Sequence, residues 1–271
     1  MHPQNATLHR HERFHSAFLP DDRDVLVWLP PGYDTESDHR YPVLYMHDGQ
    51  NLFDPETAFQ KGEHWRVGET AAELIAAGQL EPLIIVGISN TGEERIHEYT
   101  PTRDAWLGGG LAGDYGRLIV EDLKPLIDRT YRTLPDRQHT GLGGSSLGGL
   151  VTLHLGFTHP EVFSRLAVLS PSVWWDRRAI LTTVRHARPK PAVRLWVHGH
   201  GRGPPRPRRC AAVESGVSGR RLYRWLRSAL RGVRRRDAQR GRMGGARRAH
   251  ADVAVPGGRD LTHARSGILK A

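Results

Sequence analysis

Gly144-Ser145-Ser146-Leu147-Gly148 has the form Gly-x-Ser-x-Gly, and its flanks decide how the chain is read. The segment before it, Thr140-Gly141-Leu142, reads as a strand, and Leu147 to Gly156 reads as a helix. Strand, tight turn and helix in that order turn this short pattern into a nucleophile elbow. Glycines are required because the turn strains the serine backbone and brings the helix close to the strand. Ser146 then projects its hydroxyl from the top of a sheet, with a helix N-terminus beneath it. The bare pattern is weak, because glycine-rich turns are common; the flanks give it weight.

Working outward, residues 1–197 alternate strands and helices. Asp24 to Leu29 is a strand that stops at the turn cluster Pro30-Pro31-Gly32-Tyr33-Asp34. Tyr41–Met46 and Leu83–Ile88 are short continuous apolar runs, as expected of strands buried on both faces. Trp65 to Ala77 carries apolar residues at helical spacing. Tyr115 to Asp128 is amphipathic, with Leu118, Ile119, Leu123, Leu126 and Ile127 on one side and a kink expected at Pro125. Leu166–Ser170 is a strand, a helix lies near Arg177 to Arg185, and Val193–Val197 is the last strand. Such alternation predicts an α/β fold, a mostly parallel sheet with helices on both faces.

The charge is divided unevenly. The chain of 271 residues carries a net +10. Residues 1–197 hold 20 Lys+Arg and 25 Asp+Glu, a net of −5, while residues 198–271 hold 19 and 4, a net of +15. The tail's basic residues are nearly all arginine, interleaved with Gly, Pro and Ala, so the composition changes abruptly. A single cysteine, Cys210, excludes a disulfide framework and a cysteine-rich metal site. The N-terminus lacks the apolar core of a signal peptide and no run has the length of a membrane span, so a cytoplasmic location is expected.

Several motifs occur in order: Leu29-Pro-Pro-Gly-Tyr33, His47-Asp-Gly-Gln-Asn-Leu-Phe-Asp54, Arg95-Ile-His-Glu-Tyr-Thr-Pro101, Gly143-Gly-Ser-Ser-Leu-Gly-Gly149 and Ser170-Pro-Ser-Val-Trp-Trp175. With them, residues of about 20 to 197 resemble the bacterial esterases of the α/β-hydrolase fold related to enterochelin esterase, feruloyl esterases and esterase D. The resemblance implies hydrolysis of a small-molecule carboxylic ester without metal or cofactor. It makes Ser146 the acyl-accepting nucleophile. The backbone N–H groups of Leu147 and Gln50 form the oxyanion hole that receives the negative oxygen of the tetrahedral intermediate. Trp174 and Trp175 line the acyl or alcohol pocket, with Arg95 and Tyr99 helping to shape it. Plainer readings stand beside these. The tryptophans could simply cap the sheet, and Arg95 and Glu98 could be a structural ion pair. His47 orients its loop and is not the base; Asp48 stabilises the same loop.

A serine needs a histidine to take its proton and a carboxylate to hold that histidine, in chain order Ser, Asp/Glu, His. The family keeps the acid just after the strand that here ends Leu195-Trp196-Val197, in a segment Trp-Val-Asp-x-Gly-Thr-x-Glu. This chain reads Trp196-Val197-His198-Gly199-His200-Gly201 and has no acid there. The codons CAY GGN CAY GGN CGN GGN, read one base later, can give ATG GGC ACG GCC GAG, or Met-Gly-Thr-Ala-Glu. Inserting GA after the Val197 codon recovers the Asp as well. Residues 198–271 therefore read as a frameshifted, disordered tail, with the last strand and helix of the fold missing after a truncated domain of 1–197. His250 and His263 lie in that tail without the surroundings expected of a base.

Two alternatives remain open at this point. The same fold supports acyl transfer to an acceptor other than water. The tail, with Arg220-Arg-Leu-Tyr-Arg-Trp-Leu-Arg227 and the block Arg231 to Arg248, has the charge and aromatics to bind nucleic acid or an anionic membrane. No specific partner of either kind is expected on the leading reading. His97, His139, His154 and His159 lack metal-ligand spacing.

Overall fold

The computed structural model describes residues 6–187 and the backbone of residues 194–198. Its strands are β1 (Thr7–Ser16), β2 (Leu19–Leu29), β3 (Val43–His47), β4 (Ile84–Ile88), the two-residue β5 (Arg103–Asp104) and β6 (Gly108–Gly109), β7 (Thr140–Ser145), β8 (Arg165–Leu169) and β9 (Arg194–His198). One sheet has the order β1-β2-β4-β3-β7-β8-β9, and β5 pairs with β6 apart from it. Strands β4, β3, β7, β8 and β9 run parallel, while β2 joins β4 and β1 joins β2 antiparallel. This is the expected mostly parallel α/β sheet.

Side chains alternate between two cores. Val25, Val27, Leu29, Val43, Tyr45, Ile84, Val86 and Ile88 enter the larger one. Trp28, Met46 and Ile85 enter the smaller, with Leu44 packed against it. Helix α1 (Val67–Ala76) covers the smaller core through Val67, Ala71, Ala72 and Ile75. The larger core takes Ala112 and Tyr115 of α3 (Ala112–Arg117), Ile127 of α4 (Lys124–Thr130), Leu150, Val151, Leu153, Leu155 and Phe157 of α5 (Leu147–Thr158) and Ile180 and Val184 of α7 (Ile180–His186). Helices α2 (Arg95–Glu98) and α6 (Trp175–Arg178) are single turns. Cover on both faces explains why β3 and β4 read as continuous apolar runs.

The sequence and the structure differ in a few places. Pro125 does not break its helix. A π-helical stretch, Leu118–Leu123, joins α3 to α4, and the Lys124 N–H donates to Ile119 O, five residues back. Widening the helix one turn early absorbs the residue that has no N–H to give. Near Arg177 regular helix begins only with α7 at Ile180, because Asp176, Arg177 and Arg178 within the short α6 take positive φ of 38°, 51° and 73°. Strand β9 runs one residue past the expected Val193–Val197. Strand β1 has no counterpart in the sequence reading. The tail from Gly199 onward lies outside the described residues. Among the described residues, no helix is long and apolar enough to cross a membrane.

Strand β3 has β4 on one side and β7 on the other, so the strand order reverses there. Loops leaving the carboxyl ends of β3 and β7 diverge at such a point and leave a crevice for a ligand.

Candidate active site

At the end of β7 the chain turns at Ser146, whose φ of 58° and ψ of −117° are uncommon for a residue with a Cβ. Three backbone hydrogen bonds hold the turn. The Ser146 N–H donates to Leu169 O at 3.0 Å, and Ser146 O accepts from Leu150 N at 3.1 Å and Ser172 N at 2.9 Å. A Cβ on Gly144 would lie 2.8 Å from His47 Cδ2 and 2.9 Å from Gly148 C, so only glycine lets strand and helix close this tightly. Leu147 opens α5, where the first N–H groups have no intrahelical acceptor and the helix dipole is positive.

The loop after β3 is equally constrained. Asp48 is left-handed, with φ 60° and ψ 46°, and Gly49–Asn51 form a 3₁₀ turn that contains Gln50. This turn presses on β4: a Cβ on Gly49 would sit 2.5 Å from Gly87 C. The Asp48 carboxylate accepts from Arg95 Nε at 2.6 Å, Arg95 Nη2 at 2.8 Å and Asn90 Nδ2 at 2.8 Å. Its own N–H donates to Tyr99 Oη at 3.2 Å, and Gln50 Oε1 accepts from the Asn90 N–H at 3.2 Å. Met46 of β3 and Gly143 of β7 are register partners, so Gln50 and Leu147 leave the sheet from adjacent strand ends.

Beneath these two loops lies a buried polar layer. His47 is fully buried, shares a 2.9 Å hydrogen bond between Nδ1 and Tyr115 Oη, and has no partner at Nε2. Burial lowers its pKa to about 3, so it is neutral. Burial likewise raises the Tyr99 and Tyr115 hydroxyls above the usual phenol range. The Arg95 guanidinium is raised: burial opposes its charge, but the hydrogen bonds and charge of Asp48 outweigh this. The suggested Arg95–Glu98 ion pair does not form. Arg95 faces Asp48, and Glu98 faces Arg23, with Nη1–Oε2 at 2.7 Å and Nη2–Oε1 at 2.9 Å. The single turn of α2 points the two side chains to opposite partners.

The two tryptophans separate. Trp175 is 1% exposed, belongs to the larger core and donates its indole N–H to Thr102 O at 2.9 Å. It packs; it does not line an open pocket. Trp174 is 56% exposed. Tyr99 is also fully buried, its ring under the Arg95 guanidinium. Sequence reasoning missed three residues here. Ser172 is buried with its hydroxyl 3.1 Å from that of Ser146; its only signal is the segment Ser170–Trp175. Phe59 and Trp106 are strongly exposed on the connections that leave the carboxyl ends of β3 and β4. Asp104 Oδ1 holds the Trp106 loop by accepting from the N–H groups of Trp106 and Leu107. Among the described residues, no group of three or more His, Cys, Asp or Glu could hold a metal ion.

Comparison with known proteins places the fold and the family. The family described as "Putative esterase" matches residues 16–225. The chain belongs to this esterase family. The match runs past Val197, where the motifs read from the sequence end. The ferri-bacillibactin esterase of Bacillus subtilis is 31% identical over 162 residues, covering 54% of this chain and 53% of that protein. The chain spans about half to two thirds of the length of the curated relatives it matches. An IroE-like serine hydrolase from Shewanella oneidensis is 29% identical, with a TM-score of 0.55 over 68% of this chain and 56% of that one. The siderophore hydrolase EstA from Aspergillus nidulans, 21% identical, shares the fold with a TM-score of 0.60 over 86% of this chain and 80% of that one. For this esterase-family chain, the α/β-hydrolase sheet is thus shared with its relatives.

Proposed function

We propose that the chain hydrolyses small carboxylic esters through an acyl-enzyme on Ser146. The observation that carries this reading is the positive-φ Ser146 at a strand-to-helix turn, beside the loop that holds Gln50, in a chain of the esterase family. Ser146 Oγ attacks the ester carbonyl and gives its proton to solvent water, and the N–H groups of Leu147 and Gln50 donate to the oxygen as it becomes negative. The ester C–O bond then breaks to release the alcohol and leave the acyl group on Oγ for water to remove. Asp48, Arg95, Asn90 and Tyr99 hold the Gln50 loop, and none of them exchanges protons with the substrate. Trp174, Phe59 and Trp106 give the crevice apolar margins. The names of the relatives, siderophore esterases among them, support a small-molecule ester as the substrate class.

The acid belongs at the carboxyl end of β9, beside β8, and the chain has His198 there. Without acid and base, the remaining site retains about 10³–10⁴ over the reaction in water. Residues from His198 onward are read as out of frame, and restoring GA after the Val197 codon restores the acid. The family match as far as residue 225 overlaps this segment, so sequencing the gene across codons 190 to 205 decides the point. An uninterrupted frame with the present codons removes the frameshift reading. Hydrolysis of p-nitrophenyl acetate by the chain and by Ser146→Ala tests the nucleophile. A slow, Ser146-dependent rate is expected; equal rates in the two proteins overturn it.

A further inference from the structure

Away from the crevice, two imidazoles on β1 converge on one oxygen. His9 and His11 are two residues apart on a strand, so their side chains leave the same face. Their register partners on β2 are Val27 and Val25, both in the larger core. Imidazoles therefore stand where the margin of that core would otherwise take apolar groups. His9 Nδ1 lies 3.2 Å and His11 Nε2 2.8 Å from Oη of Tyr131, the residue that follows α4 and is 6% exposed. Arg10 and Glu12, between and beyond the pair, leave the opposite face, and Arg10 bonds Asp24.

We propose that His9, His11 and Tyr131 bind one divalent transition-metal ion, with Cu²⁺ favoured. Metal–nitrogen bonds of about 2.0–2.1 Å place neighbouring donors about 3 Å apart, the separation between each imidazole nitrogen and the phenol oxygen here. Imidazole suits Cu, Zn and Ni, and affinity among first-row divalent ions peaks at Cu²⁺. Coordination replaces both hydrogen bonds to the phenol and releases its proton to solvent. Water completes the shell, because two imidazoles and a phenol oxygen do not make a closed cage. The ion ties the edge strand β1 to the end of α4.

The test is titration of the full chain with Cu²⁺, read by competition with a colorimetric chelator and by melting temperature. The parent is expected to bind one equivalent more tightly than His9→Ala/His11→Ala, by at least ~10-fold, which is about 1.4 kcal/mol. The ion should raise the melting temperature of the parent and not of the double variant. Tyr131→Phe should keep the tight equivalent, weakened, and lose the phenolate-to-copper absorption band. Metal-free melts of the three proteins show whether each variant folds. A double variant that folds, binds Cu²⁺ as tightly as the parent and melts with the same copper-induced shift overturns the site, and assigns the binding to other histidines.

Discussion

The hydroxyl of Ser172 sits 3.1 Å from the hydroxyl of Ser146, and the Ser172 N–H donates to the Ser146 carbonyl at 2.9 Å. The segment after β8 thus grips the same residue by side chain and by backbone. Ser172 is a positioning residue on the esterase reading, because it sets the direction of Ser146 Oγ and is itself buried. Ser172→Ala should lower kcat by about 3- to 10-fold, the worth of one neutral hydrogen bond, with KM nearly unchanged. Steady-state kinetics on a p-nitrophenyl ester check this. An unaltered kcat removes Ser172 from the mechanism.

Arg95 and Asp48 form a two-pronged pair with side-chain exposures of 25% and 3%. Removing the guanidinium leaves a buried carboxylate with Asn90 as its remaining side-chain donor. Arg95→Ala should therefore cost about 3 kcal/mol in urea unfolding. Arg95→Lys keeps the charge but loses the planar fork, and should recover only part of it. Equal stability of parent and Arg95→Ala would show that the loop does not depend on the pair.

Trp174 and Trp175 are adjacent in sequence but differ in role. Trp175→Ala empties a core site and breaks the bond to Thr102, with an expected loss of about 3–5 kcal/mol. Trp174→Ala should leave the melting temperature within a degree or two, since little surface is lost, and act on KM instead. A large stability loss at Trp174 would contradict the assignment.

His47 and His154 are depressed to about 3 and about 4, both chiefly by burial. In the unfolded chain a histidine titrates near about 6.5. The unfolded state thus takes up protons first as pH falls. Stability is complete above about pH 6.5 and declines below it, by about 1.4 kcal/mol per pH unit for each histidine. The decline continues to about pH 4 for His154 and to about pH 3 for His47. Urea midpoints measured between pH 6.5 and pH 4.5 should show this slope, and His154→Leu should remove about half of it. An identical slope in that variant would mean His154 is not buried neutral.

Much of this architecture was legible in the chain. Continuous apolar runs announced β3 and β4, because a strand covered on both faces has no polar side to alternate with. The Ser146 turn was legible because glycine spacing and flanking periodicity are local. Strand β1 was not, since Thr7–Ser16 is an edge strand in which histidine and charged side chains face solvent or cap the core margin. The partners of Arg95 and Glu98 were misread for a related reason. Spacing of three residues suggests contact along a helix, but buried charges further away in sequence, Asp48 and Arg23, were the stronger attractors. Ser172 became visible only when β8 placed it against the turn.

Because α2 spans only Arg95–Glu98 yet holds Asp48 at one end and Arg23 of β2 at the other, it is a short lever between the sheet's antiparallel margin and the Gln50 turn. A lesion in the β1–β2 hairpin, remote from Ser146, would reach that turn as a tilt of α2. Evolution or engineering could therefore adjust the crevice from the far side of the sheet without changing a residue that meets the substrate.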